Sequence, residues 1–196
     1  MSARERVLGR VRDALQKRAT TEHPGAFEGW RPAAAVRKGV DGFATMLEAA
    51  GGEVVRLPND AAAAAWLVRF SRAFPAAAAG LTVPIELRPT LPTAAPDAAP
   101  LGVSMARGAI AETGSLLMDA RDGRRAQLLP PTHVVFVRAT AVHATFRDAL
   151  VAVRGDLPSA LGLHSGPSKS ADIGHVMVKG VHGPGRLIAV VIGEEP

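Results

Sequence analysis

The residues best suited to bind a ligand lie in residues 165–172, which read Ser-Gly-Pro-Ser-Lys-Ser-Ala-Asp. Glycine permits a tight turn, and backbone N–H groups, hydroxyls and an ammonium group together can cradle an anion. The candidate binding residues are Ser165, Gly166, Ser168, Lys169, Ser170 and Asp172. The segment is not a P-loop, because Ser168 precedes Lys169 where that motif requires glycine. A small carboxylate or phosphate ligand is therefore favoured over ATP. The alternative is a helix cap in which Asp172 pairs with Lys169.

A single acid, Glu112, stands between two apolar runs in residues 109–115. A carboxylate is costly to bury unless it is paired or hydrogen-bonded. Gly114 permits a turn with positive φ, and Thr113 and Ser115 add hydroxyls. Glu112 is thus a candidate catalytic base, nucleophile or hydrogen-bond acceptor, and its three neighbours are candidate binding residues. A structural salt bridge that supports the turn explains the same residues equally well.

Two histidines stand in the remaining polar segments. His133 follows two prolines at the start of a predicted strand. It could donate to a substrate, although a bond to a loop carbonyl is the more common role for such a residue. His182 and Gly183 lie in a glycine-rich turn, where His182 is a second candidate catalytic residue and turn chemistry is the alternative. No two histidines stand at a metal-site spacing such as H-x-x-x-H, so no metal site is predicted.

Short apolar strands alternate with helical patterns, which is typical of a mostly parallel α/β sheet. The predicted strands are residues 53–57, 81–87, 133–137, 161–164 and 187–192, and the predicted helices are residues 42–50, 60–74 and 140–153. The pair Asp122-Gly123 between apolar segments predicts a β-hairpin. We therefore predict an α/β fold: a single domain with a mostly parallel central sheet flanked by helices.

The basic residues of the chain are concentrated in a predicted N-terminal helical arm, residues 1–39, which precedes an α/β domain over residues 40–196. Ser2 and Glu5 have capping-box spacing, and an amphipathic helical pattern follows them. Residues 1–40 contain nine of the 23 Lys and Arg but four of the 18 Asp and Glu, so the net charge of +5 belongs to the arm. Without interleaved aromatic residues or a recognised motif, this charge does not favour nucleic-acid binding.

Cysteine is absent from the chain, which excludes disulfides, a cysteine nucleophile and iron–sulfur clusters held by its own cysteines. No apolar stretch approaches the ~20 residues that a membrane span requires. The N-terminus lacks the apolar region of a secretory signal. The sequence therefore predicts a cytoplasmic protein with no membrane span and no cofactor of its own.

The order of four motifs resembles the LUD domain, most of all the LutC/YkgG branch, the lactate utilization protein C family. The motifs are Ala-Glu-Thr-Gly-Ser at 111–115, Leu-Leu-Pro-Pro-Thr-His-Val at 128–134, Ser-Gly-Pro-Ser-Lys-Ser-Ala-Asp-Ile at 165–173 and Gly-Val-His-Gly-Pro at 180–184. The resemblance implies a sheet flanked by helices, similar to the NagB/RpiA/CoA-transferase-like fold. It also implies a role in oxidising L-lactate to pyruvate, alongside partner proteins that carry iron–sulfur clusters.

The third motif departs from the usual family pattern, Thr-Gly-Pro-Ser-Arg-Thr-Ala-Asp-Ile-Glu. Ser165, Lys169 and Ser170 replace Thr, Arg and Thr, and Gly174 replaces the glutamate. Lysine keeps the positive charge but loses bidentate recognition of a carboxylate. These changes bear on the identity of the ligand more than on the fold.

Three functions are compatible with these residues. The first is a subunit of an L-lactate-oxidising system that binds a small anionic ligand and acts with iron–sulfur partners; a homo-oligomer is left open. The second is a stand-alone acyl or CoA-type transferase with Glu112 as nucleophile, and the third is a non-catalytic assembly protein. Open α/β sheets bind ligands beyond the carboxyl ends of their strands. On that basis we expect Glu112, Ser168, Lys169, Asp172 and His182 to converge in one cleft.

Overall fold

The computed structural model of the protein describes residues 2–16, 38–171 and 177–194. The chain divides into two compact units, residues 1–35 and 36–196. In the first unit, helix α1 spans Ala3–Gln16. Its predicted capping box is confirmed: the Ser2 N–H donates to Glu5 Oε2 at 2.5 Å, and the Glu5 N–H donates to Ser2 Oγ at 3.2 Å. Most of the remaining predicted arm lies outside the described residues.

The second unit is built on a sheet of five parallel strands. These are β1 (Glu53–Leu57), β2 (Ala77–Ala79), β3 (Leu101–Met105), β6 (Thr132–Arg138) and β11 (Arg186–Ile192). The sheet order is β1-β11-β6-β3-β2, which places β6 at the centre. Continuous apolar runs are typical of strands covered on both faces, and β6 and β11 are buried along almost their whole length.

Helices cover both faces of this sheet. Successive residues of a strand point to opposite faces, and those of β6 alternate between two core clusters. Val135 packs with Phe43 and Leu47 of helix α2 (Gly39–Ala49). Phe136 packs on the other face with Leu67 of helix α3 (Asp60–Ser71). The predicted α/β architecture, a mostly parallel sheet flanked by helices, is confirmed.

A smaller sheet packs on the α2 side of the central sheet, because Leu116 and Met118 share a core cluster with Phe43. Its strands are β4 (Gly108–Ile110), β5 (Ser115–Asp119), β7 (Val142–His143) and β8 (Leu161–His164), in the order β7-β4-β5-β8. Helix α5 (Phe146–Val153) covers its other face. Helix α4 (Arg124–Leu128) precedes β6, and strands β9 (Lys169–Ala171) and β10 (Met177–Lys179) form an antiparallel pair.

The hairpin predicted at Asp122-Gly123 is wrong. Asp122 ends a 3₁₀ turn, Ala120–Asp122, and Gly123, with φ +97°, leads into α4. The buried Asp122 carboxylate accepts hydrogen bonds from the Thr82 N–H at 2.9 Å and the Thr82 hydroxyl at 2.8 Å. This contact with a residue forty positions away overrides the local turn preference. The same contact explains why residues 81–87 are not the predicted strand: they form a loop and the 3₁₀ turn Ile85–Leu87.

The helix predicted over residues 140–153 begins later, at Phe146. Thr145 and Asp148 form a capping box that sets its N-terminus. Val142 and His143 instead pair with Ala109 and Ile110 of β4. The helical spacing of the apolar residues therefore predicted α5 correctly. The conformation of the residues before α5 is determined by sheet pairing instead.

An ion-pair network joins the end of β5 to the loop after α5. The side chain of Asp119 is only 4% exposed, and it accepts hydrogen bonds from the Arg121 guanidinium at 2.7 Å and the Arg121 N–H at 2.7 Å. Burial raises the pKa of Asp119, but these bonds and the charges of Arg121 and Arg107 bring it below its ordinary value. Asp156 binds both arginines at 2.8 Å. Asp119 therefore remains a charged group inside the protein.

Replacing Arg121 with glutamine should lower the free energy of unfolding by more than loss of an exposed ion pair does, since the buried carboxylate of Asp119 loses its principal partner. Arg125→Gln is the matched control, because Arg125 and its partner Asp97 are 70% and 61% exposed. Such a surface pair contributes about 0–1 kcal/mol. Urea unfolding measures both variants, and equal losses would contradict the assignment of Asp119 as a buried charge held by Arg121.

Candidate functional site

Three hydroxyl groups from two distant segments form a continuous hydrogen-bonded chain. Thr113 Oγ1 lies 2.7 Å from Ser115 Oγ, which lies 2.6 Å from Ser165 Oγ. Ser115 is the buried first residue of β5, and Ser165 follows the last residue of β8, its antiparallel neighbour. The register of the smaller sheet therefore brings together the first and third of the four motifs, residues 111–115 and 165–173.

Glycines in both segments allow close contact with the C-terminal end of α2. Gly114 has φ +62°, and a Cβ atom there would lie 2.3 Å from the backbone nitrogen of Leu47. Gly166 has φ +119°, and its Cβ would lie 3.0 Å from the carbonyl oxygen of Ala50. Both turns thus pack directly against the end of α2, which fixes their positions. This packing role is observed, whereas ligand binding by these glycines stays a prediction.

The other two predicted segments join the same region through backbone hydrogen bonds. The Ser168 N–H donates to the Pro184 carbonyl at 2.8 Å, and the Gly180 N–H donates to the Ser168 carbonyl at 3.0 Å. The Arg186 N–H donates to the Pro131 carbonyl at 3.2 Å. The third and fourth segments are therefore bonded to each other, and the second is bonded to Arg186, which follows the fourth segment at the start of β11.

The region lies at the amino ends of the parallel strands, because Pro131 directly precedes β6 and residues 180–185 directly precede β11. The expectation that these segments lie beyond the carboxyl ends of the strands is wrong. The physical reason is chain direction: in a parallel sheet, segments that enter neighbouring strands meet at the amino edge. Segments that share one edge of a parallel sheet lie close together, whether that edge is the amino or the carboxyl one.

A cavity of about 150 Å³ lies between the third and fourth segments. Its lining residues are Leu128, Leu163, His164, Ser165, Gly166, Ser168, His182, Gly183 and Pro184. We call it the serine–histidine cavity. Hydroxyl and imidazole groups both donate and accept hydrogen bonds, and none of the described residues that line the cavity is acidic. The arrangement suits a small ligand that accepts hydrogen bonds.

His133 does not line this cavity, but its ring contacts that of His164, which does. The centroids of His133 and His164 are 6.0 Å apart in an edge-to-face arrangement. His133 is fully buried, with Nε2 hydrogen-bonded to Ser104 Oγ at 2.9 Å and with no hydrogen-bond partner on Nδ1 within the described structure. Burial, together with the nearby His164, lowers the pKa of His133 to about 3. Burial also lowers the pKa of His164, so both rings are neutral near pH 7.

The charged groups of Glu112 and Lys169 bind backbone atoms at helix ends. Glu112 Oε1 accepts a hydrogen bond from the Phe146 N–H at 2.6 Å, at the first residue of α5. Lys169 Nζ donates to the carbonyl of Ala50, which caps the C-terminus of α2. Both contacts have the sign that the helix dipole favours. The observed partner of Glu112 is thus a backbone N–H, whereas the sequence offered a salt bridge. The pairing of Lys169 with Asp172 lies outside the described residues.

The expected convergence in one cleft is therefore met in part. Ser168 and His182 line the serine–histidine cavity together, whereas Glu112 and Lys169 are not among its lining residues. Asp172 lies outside the described residues. Ser170 pairs with Val178 in the β9–β10 ladder, also away from the cavity lining.

His164 and Leu128 also line the cavity, although they were not among the candidate residues. His164 ends β8, which was predicted only as a strand over 161–164, and Leu128 looked like an ordinary apolar residue of its segment. The available signal was position, because His164 directly precedes Ser165. Leu128 is 41% exposed and carries no comparable signal.

Within the parts of the chain that the structure describes, no three His, Asp or Glu side chains are grouped so that they could hold a metal ion. The helices of those same parts are all too short or too polar to cross a membrane.

Known proteins are similar to this chain over about half of its length. Residues 96–192 match the LUD domain. Lactate utilization protein C of Deinococcus radiodurans is 41% identical over 90 residues, which are 43% of this chain and 42% of that protein. Lactate utilization protein C of Anoxybacillus flavithermus is 35% identical over 101 residues, which are 50% of this chain and 46% of that protein. The matches thus span less than half the length of these curated relatives.

The fold also matches a solved structure. A crystal structure of a DUF162 family protein from Deinococcus radiodurans at 1.70 Å resolution superposes with a TM-score of 0.60. The superposition covers 78% of this chain and 95% of that chain at 20% sequence identity, so the likeness concerns the fold. The matched LUD domain contains all four polar segments that form the candidate site. Residues 96–192 therefore form a LUD domain, and proteins named lactate utilization protein C are relatives of the chain.

Proposed function

We propose that this protein is a component of a lactate utilization system and binds a small carboxylate such as L-lactate in the serine–histidine cavity. The observation that carries the proposal is the convergence of Ser165, Ser168 and His182 on one cavity, within the matched LUD domain. The names of the relatives supply the substrate class.

The chemistry of the cavity fits a carboxylate. Each carboxylate oxygen accepts hydrogen bonds, and the hydroxyls of Ser165 and Ser168 and the imidazole of His182 supply donors. Ser115 is buried and hydrogen-bonded to both Thr113 and Ser165, so the Ser165 hydroxyl is held in place by the chain behind it. A preordered donor loses less entropy on binding than a mobile one.

We further propose that the electrons of L-lactate pass to partner proteins that carry iron–sulfur clusters. Oxidation of L-lactate to pyruvate releases two electrons and two protons, so an electron acceptor is required. The chain has no cysteine, and iron–sulfur clusters are held by cysteine thiolates. The acceptor cluster is therefore assigned to a partner. Copurification of tagged full-length protein from cells grown on L-lactate, with iron analysis of the captured proteins, tests this part, and captured proteins without iron contradict it.

Ser168→Ala should weaken binding of L-lactate about twofold to tenfold, because one neutral hydrogen bond contributes about 0.5–1.5 kcal/mol. Isothermal titration of the full chain with L-lactate, pyruvate and inorganic phosphate measures the effect. Ser159→Ala is the matched control, since Ser159 is exposed and is not among the lining residues of the cavity. Absence of binding by the unmodified protein, or equal affinity of the two variants, contradicts the proposed site. Tighter binding of phosphate than of L-lactate contradicts the proposed ligand class.

A further inference from the structure

A second cavity, of about 170 Å³, adjoins the serine–histidine cavity. The two share Leu128 and His164 as lining residues. We call the second one the side cavity. Leu128 and His164 therefore border both cavities, whose combined volume exceeds what a three-carbon acid fills.

The lining of the side cavity is mainly apolar. It includes Met118, which is fully buried, and Ala160 and Leu161, which are half-buried. Gln127 also lines it, but its amide nitrogen already donates to the Asp119 carbonyl at 2.8 Å. Arg124 is the charged member and is exposed to solvent. A ligand group entering this space would meet mostly carbon atoms.

We infer that the site accepts 2-hydroxycarboxylates with aliphatic side chains longer than the methyl group of lactate. The carboxylate lies beside Ser165, Ser168 and His182, and the aliphatic chain passes Leu128 and His164 into the side cavity. The inference rests on the proposed function, because it places the carboxylate in the serine–histidine cavity. It adds the substrate range, which the names of the relatives do not specify.

The ring of His164 lies where the aliphatic chain would cross from the serine–histidine cavity into the side cavity. It is neutral near pH 7, since burial lowers the pKa of His164, and a neutral imidazole tolerates an aliphatic neighbour better than a cation does. Its orientation is supported by the edge-to-face contact with His133. The His164 ring is therefore held at the border of the two cavities by contact with a fully buried residue.

The test compares L-lactate, 2-hydroxybutanoate and 2-hydroxy-4-methylpentanoate by titration of the full chain. Each buried methylene should tighten binding about fourfold, so the last acid should bind at least tenfold more tightly than L-lactate. Ala160→Leu fills the side cavity and should remove this gain while leaving the Kd for L-lactate unchanged. Ala61→Leu, at an exposed position of α3, is the matched control and should keep the gain.

A spectroscopic readout makes the inference independent of the variants. The methyl resonance of Met118, assigned with Met118→Leu, should shift with 2-hydroxy-4-methylpentanoate and stay unchanged with L-lactate. Equal Kd values for the three acids would overturn the inference and leave the proposed function standing, whereas no binding of any acid would overturn the proposed function itself. Tighter binding of 2-hydroxyglutarate than of 2-hydroxy-4-methylpentanoate would place a second charge beside Arg124 and overturn the aliphatic assignment.

Discussion

Replacing Gly114 with alanine should lower the free energy of unfolding by about 2–5 kcal/mol. A left-handed backbone conformation costs an L-residue about 1–2 kcal/mol, and Gly114 has φ +62°. Overpacking adds about 1–3 kcal/mol, because the new Cβ would lie 2.3 Å from the Leu47 nitrogen and 2.5 Å from the Met46 carbonyl carbon. Both are backbone atoms of α2, so no side-chain rotation relieves the collision.

Two other glycines separate these contributions. Gly193 has φ +92° with no atom within 4 Å of an added Cβ, so Gly193→Ala measures the cost of the backbone conformation alone. Gly155 has an ordinary φ and the same open space, so Gly155→Ala should change stability by less than about 1 kcal/mol. Urea unfolding of the three variants gives the comparison. A Gly114→Ala loss no larger than that of Gly193→Ala would falsify the contact with α2.

The same substitution should also affect the site. Gly114 lies between Thr113 and Ser115, whose hydroxyls lead to Ser165. A shift of this turn away from α2 would disturb the hydroxyl chain, so Gly114→Ala should weaken L-lactate binding even at temperatures where the variant is folded. Gly193→Ala should bind as the unmodified protein does.

Elements whose burial is uniform could be predicted from the sequence. The strands over 133–137 and 187–192 are continuous apolar runs, and the structure places both inside the central sheet with both faces covered. Such a run has few other stable locations in a protein of this size. The hairpin at Asp122-Gly123 could not be excluded in the same way, because the deciding partner, Thr82, is remote in sequence.

In the candidate site, too, residue types could be interpreted from the sequence, whereas the partners of those residues could not. Residue types indicated that the four segments carry polar chemistry, and the cavity indeed contains Ser165, Ser168 and His182. The charged members found backbone partners that no pattern specifies: Ala50 for Lys169 and Phe146 for Glu112. Helix ends offer such partners to any nearby charge of the right sign, and only the three-dimensional arrangement determines which charge reaches them.

Acidification from pH 7 to pH 5 should destabilise the protein, with His133 as the largest single contributor. Its pKa is about 3 in the folded protein, against an ordinary value of 6.5. The unfolded chain therefore binds a proton in this range that the folded protein excludes, so the free energy of unfolding falls as the pH drops below 6.5. At 1.36 kcal/mol per pH unit, His133 alone accounts for a loss of about 2 kcal/mol by pH 5. His164 adds to the loss in the same direction.

The carboxylates do not obscure this window. Glu53, Asp119 and Asp156 have pKa values below their ordinary values, so their contribution is lost only at lower pH. Urea unfolding at intervals between pH 7 and pH 5 gives the slope. His133→Gln, which keeps a polar group near Ser104, should flatten the slope, and His182→Gln, at an exposed position, is the control.

A direct titration keeps the prediction testable if His133→Gln fails to fold. The imidazole signal of His133 in the folded protein should show no protonation down to pH 5 by NMR, because protonation would leave a charged ring buried beside His164 and Ser104. A midpoint near 6.5 for that signal, or a slope that His133→Gln leaves unchanged, would show that the ring is open to solvent. In that case His133 would be available to a ligand, as the sequence had suggested, rather than a support for the wall of the site.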